Sequence, residues 1–366
     1  MSPAGGSEEV RVEVEGRTLT LTNLDKVLYP RTGTTKGEVL HYYATVAPVL
    51  LPHLADRAVT RIRWPHGVGG ESFFEKNVPA GTPSWVRTAE VPTTGSRATG
   101  ERHGRSDTLR FPIVGDLATL TWLANLAALE LHVHQWTVTR TGRPRHADRL
   151  VIDLDPGEPA TLHDCCQVAL LVRDRLAEHG LTARPVTSGS KGLHLYADLP
   201  RRRPAEETTA LAREIAEQLQ REHPARVTAT MTKQRRGGKG VLDWSQNAAS
   251  KTTVAPYSLR GREVPTVATP VTWAEVEAGA EDLEERTARL REAVAVEEVL
   301  ELRLGGLDGR AGAPMQHPHR VEAGVGRMHA GERQPVIAGD LPGNRLQGVV
   351  CHGHGLCVIL PYHHAY

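Results

Sequence analysis

The residues best equipped to do chemistry in this chain are three aspartates. Asp153 and Asp155 stand two apart in RLVIDLDPGE, and Asp243 stands in VLDWSQN. In an extended strand, positions i and i+2 share a face about 7 Å apart at the backbone, so both carboxylates can reach one pair of divalent cations. Phosphoryl or nucleotidyl transfer needs such a pair: one cation activates the attacking oxygen and the other neutralises charge on the departing pyrophosphate. Oxygen donors suit magnesium or manganese. A bare D-x-D is equally a turn motif in which Asp155 caps the next segment. The setting favours the metal, because the aspartates follow an apolar LVI run, and charge at the edge of a core is costly unless paired or bound.

Between the aspartates lies SGSKGLHLY. Its glycines let backbone N–H groups approach an anion, Lys191 is a point charge suited to a triphosphate, and His194 can donate to a phosphate oxygen. The Walker pattern is absent, and alone the segment reads as a hairpin turn with an exposed lysine. Phe73 and Phe74 are two of only three phenylalanines. In a strand they face opposite ways, so one is either exposed and able to stack on a base, or part of a core strand. Arg235, Arg236 and Lys239 form a basic, Gly-containing loop before Asp243 that is either a nucleic-acid contact or a solvated loop. His132 and His134 read as buried, hydrogen-bonded residues rather than metal ligands, and CHGHGLC in the tail is a weak zinc-like cluster.

The elements that must position these groups follow from periodicity. VRVEVEGRTLTLTN alternates as two strands around Gly16, TTKGEVLHYYATVAPVLLPHL is helical, and LATLTWLANLAALELHVHQW has helical spacing. RLVIDLDPGEPA is a buried strand ending in a Pro-Gly turn, followed by a helix from Thr161 to Gly180, a strand pair around SGSKG, a helix from Glu206 to His223 and a strand at VLDWSQN. This order predicts a split β-α-β sandwich with a largely antiparallel sheet. The expected units are residues 10–140 and 141–302, and the Gly, Pro, Arg and His-rich stretch 303–366 reads as a low-order tail.

With 366 residues, 39% hydrophobic and 24% charged, the composition is that of a globular protein; no run is long enough for a membrane span, and a cytoplasmic, nucleoid-associated protein is expected. Four cysteines do not make a disulfide framework. A net charge of +1 gives no global pull toward nucleic acid, but the charge is segregated: Arg201–Arg262 holds 13 basic and 6 acidic residues, Glu263–Leu302 holds 3 and 11.

The order D-x-D, S-G-x-K-G-x-H, then a single strand-end Asp resembles the archaeo-eukaryotic primase superfamily, and more closely the polymerase domain of bacterial DNA ligase D, used in non-homologous end joining. TNLDKVLYP, TKGEVLHYY, FFEKN, DLATLTWLANLAALELH, DRLVIDLDPGE, SGSKGLHLY, VLDWSQN and TTVAPYSLR carry the resemblance over roughly Val10 to Leu302. It implies an α+β primase-like core with a mostly antiparallel sheet flanked by helices and an N-terminal α/β module. It further implies metals on Asp153, Asp155 and Asp243, an incoming nucleotide (NTP or dNTP) held by Ser188, Lys191, His194 and Arg260, and the 5′-phosphate of downstream DNA gripped by Lys26 and Lys36. The expected activity is template-directed gap filling and end extension. The implied partners are a Ku-like end-binding protein and a separate ATP-dependent DNA ligase, because no K-x-D-G adenylation motif is present and the chain reads as a stand-alone form. The alternatives are an aspartate-nucleophile phosphatase, whose usual Gly-Thr after D-x-D is here Pro156-Gly157, and an end-binding repair scaffold without chemistry.

Overall fold

The computed structural model describes residues 9–93, 107–230, 238–281, 347–349 and 358–360. Glu9–Val14 (β1) and Arg17–Thr22 (β2) form the expected hairpin, with Gly16 at φ +73° in the turn and Val12, Val14, Leu19 and Leu21 buried on one face. Val27–Tyr29 (β3) and Thr34–Thr35 (β4) lead into Lys36–Leu54 (α1). The T-x-x-E in this entry is a capping box: the Glu38 N–H donates to Thr35 Oγ1 at 3.2 Å and the Thr35 N–H to Glu38 Oε2 at 2.7 Å. Val59–Arg63 (β5) and Phe73–Glu75 (β6) pair antiparallel, as do Thr88–Thr93 (β7) and Asp107–Pro112 (β8).

The segment expected to be one helical run divides in two. Leu117–Asn125 (α2) is helical, Ala127 at φ +57° ends the turn, and Ala128–Val133 (β9) and Trp136–Val138 (β10) are strands. The physical reason is that β9 is short and follows α2 after only two residues, so its alternation, with Leu129, Leu131 and Val133 on one face and Glu130 and His132 on the other, merges with the apolar helix before it into one apparent helical run.

Pro144–Pro156 (β11), at 13 residues the longest strand, is the centre of the second sheet. Leu162–Glu178 (α3), Ala183–Thr187 (β12), Leu193–Arg203 (β13), Ala205–Glu222 (α4), Val227–Thr228 (β14) and Gly240–Asp243 (β15) complete it in the order β12-β13-β11-β15-β14, with β10 also against β11. All pairings are antiparallel except β14–β15. VLDWSQN is a strand only through Asp243; Trp244–Asn247 is a 3₁₀ turn. Thr253–Val254 (β16), Leu259–Arg260 (β17), Thr266–Val267 (β18) and Trp273–Glu281 (α5) follow. The architecture is α+β, as expected.

Two cores result. Leu150, Ile152 and Leu154 of β11 pack with residues of α3, α4 and α5 in one, each fully buried side chain of this kind contributing roughly 1.5–3 kcal/mol. The other joins β1, β2, α1, α2 and β9, and also takes Ala255, Tyr257, Leu259 and Val267, so the chain returns to its first packing unit after completing the second. Of the tail, only Gln347–Val349 (β19) and Val358–Leu360 (β20) are described, as an antiparallel pair; CHGHGLC lies outside the described residues.

Candidate active site

The register of β11 decides what surrounds the aspartates. A bulge between Ala147 and Arg149 sets the alternation so that Leu150, Ile152 and Leu154 enter the helix-covered core while Val151, and with it Asp153 and Asp155, face the other way. In that row Asp153 is opposite His194 on β13 and Asp243 on β15. His194 Nε2 is 3.2 Å from Asp153 Oδ1. Gln246 Nε2 lies 3.4 Å from Asp153 Oδ2 and 3.2 Å from Asp243 Oδ2. One amide donor therefore bridges the two carboxylates, where a cation would satisfy both more strongly. Asp243 Oδ1 accepts from the N–H (2.8 Å) and hydroxyl (2.6 Å) of Ser245, capping the 3₁₀ turn.

A cavity of about 250 Å³ opens over this row. Its lining brings together Asp153, Asp155, Ser188, His194 and Arg260 from the sequence reading, and adds His132, Ser190, Gln246 and Arg262. Asp243 flanks Asp153 through the register without lining the cavity. Among the described residues no three His, Cys, Asp or Glu side chains converge as a ready ligand cluster. The donor set nonetheless fits a hard cation: oxygen ligands on adjacent strands, with an exchangeable amide between two of them.

The SGSKG turn is fixed against β11. The Ser188 hydroxyl accepts from the N–H groups of Ser190 (3.2 Å) and Gly192 (3.1 Å), and a β-carbon on Gly192 would lie 1.8 Å from the Leu154 carbonyl oxygen. Lys191 is separate from the other predicted nucleotide residues: it is exposed, outside the cavity lining, and 3.5 Å from the exposed Glu158. Asp153 faces His194 and Gln246, and among the described residues no lysine of the kind an aspartate-nucleophile phosphatase needs stands against it.

Arg260 reaches the cavity from β17. Its Nε donates to Glu130 Oε1 (3.2 Å) and its Nη1 to the Ser188 carbonyl (3.0 Å), while the Tyr29 hydroxyl donates to the Arg260 carbonyl at 2.9 Å. Arg262 donates to the Ser190 hydroxyl. Both histidines are hydrogen-bonded as expected, His132 to Glu130 at 2.7 Å and His134 to the Ala58 carbonyl at 3.1 Å; His134 is buried, whereas His132 is half-buried and lines the cavity.

Lys36 is the first helical residue of α1, and its N–H donates to the Lys26 carbonyl at 2.8 Å. The Lys36 ammonium is buried, donating to the Thr22 carbonyl at 2.6 Å and the Thr22 hydroxyl at 3.3 Å, with no carboxylate partner among the described residues. Burial chiefly, with Lys26 and Arg63 adding repulsion, lowers its pKa from 10.5 to about 8. A cation forced to the positive end of a helix dipole beside further cations is a site of strong positive potential. Phe73 and Phe74, on β6 opposite Arg63 and Ile62, are both exposed, at 38% and 50%. That excludes the core-strand reading for either ring. Lys239 is half-buried beside the turn after β11, its carbonyl accepting from the Gly157 N–H at 3.0 Å. Arg235 and Arg236 lie outside the described residues.

The sequence reading missed Glu130, Gln246 and Arg262. Gln246 has a signal in hindsight, because i and i+3 eclipse in a 3₁₀ turn and Gln246 is three residues after Asp243. Glu130 has none, since its partner Arg260 is 130 residues away.

The model of the LigD primase-polymerase domain matches residues 35–298. The multifunctional non-homologous end joining DNA repair protein LigD of Mycobacterium tuberculosis (strain H37Rv) is 50% identical over 278 residues, which are 75% of this chain and 34% of that protein. The bifunctional non-homologous end joining protein LigD of Bacillus subtilis is 36% identical over 260 residues, 71% of this chain and 39% of that one. This chain therefore spans about a third of the length of these curated relatives. The solved polymerase domain from Mycobacterium tuberculosis ligase D, in complex with DNA, superposes with a TM-score of 0.69 at 46% identity, covering 80% of this chain and 98% of that one. By sequence, by fold and by the order of its carboxylate and SGSKG strands, the chain belongs to the LigD primase-polymerase domain family.

Proposed function

We propose that this chain is a template-directed nucleotidyltransferase acting at DNA breaks in non-homologous end joining, filling gaps and extending ends with NTP or dNTP. The observation that carries the reading is the row of Asp153 between His194 and Asp243, beneath a cavity walled by Ser188 and Arg260. Asp153, Asp155 and Asp243 would hold two magnesium or manganese ions. When bound, these supply activation of a 3′-hydroxyl and neutralisation of the pyrophosphate that leaves. The residues of the chain do the rest. Arg260, His194 and the Ser188 turn hold the triphosphate, and Gln246 donates to both Asp153 and Asp243 across the position a cation would take. Lys191 swings from Glu158 to the triphosphate, a small change for a surface pair 3.5 Å apart.

Lys26 and Lys36 grip the 5′-phosphate of the downstream strand, Phe73 and Phe74 stack on template bases, and Arg235, Arg236 and Lys239 contact the template or its phosphates. A Ku-like end-binding protein and an ATP-dependent ligase are the partners, in the cytoplasm at the nucleoid. The structural relative's complex with DNA supports the choice of substrate. No described helix is long and apolar enough to cross a membrane.

The test is a gapped, 5′-phosphorylated DNA with manganese and each nucleotide. Template-directed extension that is lost in Asp153→Ala is expected. No extension, or extension undiminished in Asp153→Ala, would sink the reading.

A further inference from the structure

Glu130 stands on β9 with its side chain only 6% exposed, and the reading above gives it no role. Oε1 accepts from Arg260 Nε at 3.2 Å and from the Gly261 N–H at 2.9 Å, and Oε2 faces His132 Nε2 at 2.7 Å. Burial alone would raise this carboxyl. The His132 hydrogen bond, the Arg260 charge and the Gly261 N–H outweigh it and bring the pKa down to about 2, so the group is a carboxylate at any ordinary pH. A buried negative charge beside a pocket meant for a triphosphate repels the very ligand the pocket takes. Its presence there needs a compensating purpose.

The partners supply one. Arg260 is tied at Nε to Glu130 and at Nη1 to the Ser188 carbonyl, and Nη2 makes no hydrogen bond among the described residues. His132 is tied at Nε2 and keeps Nδ1 in the same condition. Both residues line the cavity that Asp153 and His194 line. One carboxylate thus fixes a guanidinium from β17 and an imidazole from β9, and leaves each with a single nitrogen for a ligand. Groups held this way lose little freedom on binding, as supporting carboxylates do for metal-bound histidines. The backbone around Arg260 is held as well, by the Tyr29 hydroxyl and by Gly261, where a β-carbon would lie 2.2 Å from the Trp64 ring.

We propose that Glu130 is a positioning residue that locks His132 and Arg260 into one rigid pair facing the incoming nucleotide. The role rests on the nucleotidyltransferase reading, and the experiment separates the two. Equilibrium binding of GTP with manganese is measured on the full chain for wild type, Glu130→Gln, Arg260→Ala, His132→Ala and the double variants, beside binding of gapped DNA. Glu130→Gln weakens GTP binding about tenfold and leaves DNA affinity unchanged; in the Arg260→Ala background it adds less than about twofold, because the group it positions is gone. Unchanged GTP affinity in Glu130→Gln, or the same loss in both backgrounds, overturns the proposal. Should Glu130→Gln fail to fold, the pair is read from its other side: Arg260→Ala and His132→Ala combine less than additively if one carboxylate serves both, and full additivity refutes it. A wild type that binds GTP but extends no primer defeats the polymerase reading and leaves Glu130 its role. A wild type that binds no triphosphate defeats both.

Discussion

Replacing Gly192 by alanine tests whether the SGSKG turn and the carboxylate strand work as one rigid body. The added β-carbon would lie 1.8 Å from the Leu154 carbonyl oxygen, and real β-carbons essentially never come within 3.0 Å of another heavy atom, so β13 and β11 must part by at least 1.2 Å. The obstacle is backbone on both sides, so no side chain can swing away. Leu154 lies between Asp153 and Asp155 and is paired to Leu193 and Leu242, and therefore the displacement falls on the carboxylates themselves. It also strains the two bonds that hold the turn, Ser188 N–H to the Gly192 carbonyl (2.8 Å) and Gly192 N–H to the Ser188 hydroxyl (3.1 Å). A misplacement of about 1 Å at a reacting centre costs on the order of 100-fold in rate, and overpacking of this kind costs about 1–3 kcal/mol in stability. The assay is single-nucleotide insertion into a 5′-phosphorylated gap, with thermal melting and DNA binding as controls. Gly192→Ala should lose about 100-fold in kcat/KM yet bind the gap normally, because Lys26 and Lys36 belong to the other core. Gly115→Ala, whose β-carbon meets nothing within 4 Å, is the matched control. Activity of Gly192→Ala within about threefold of wild type would refute the coupling.

The preference for a 5′-phosphate should fade as pH rises through the Lys36 pKa of about 8: the ammonium is about nine-tenths charged at pH 7 and about one-tenth at pH 9, and Lys36→Arg should abolish this dependence in the ratio of Kd values with and without the phosphate. The sign for stability is opposite to a paired lysine's, since a folded pKa below 10.5 means the native state binds fewer protons between pH 8 and 10.5, so this group's contribution rises across that window in pH-dependent denaturant melts. Phe73→Ala and Phe74→Ala should each change stability by less than about 0.5 kcal/mol, because both rings are exposed, while weakening binding of gapped DNA; a loss of stability with unchanged DNA affinity would mark them as packing residues.

Local signals carried most of the fold. The β1–β2 alternation, the helical spacing of α1, the Gly180 stop and the β12–β13 hairpin were all legible because each is written within a few residues. The run through β9 was not, because its alternation spans only six residues and follows the apolar α2 after two residues. In the site, strand parity correctly placed Asp153 beside Asp155, and the motif order pointed to His194 and Ser188. Pairings across the chain had no such signal. Neither the partnership of Glu130 with Arg260 nor the turning of Lys191 toward Glu158 can be read from spacing, since both are settled by how distant segments pack.

The division of labour between the two cores follows from that packing. The carboxylates stand on β11 and β15, held by the core beneath α3, α4 and α5, whereas Glu130, Lys26, Lys36, Phe73 and Phe74 belong to elements of the first core or its edge. Arg260 connects them, because its strand returns to the first core through Leu259 while its side chain meets Ser188 on the turn against β11. On the proposed reading, a substrate bound through the first core would be presented to metals held by the second, with the two aligned by the contacts of Arg260 with Glu130 and Ser188. Substitutions at those contacts should impair nucleotide binding and insertion while leaving binding of gapped DNA nearly unchanged, since Arg260 belongs to the nucleotide cavity and Lys26 and Lys36 lie on the first core.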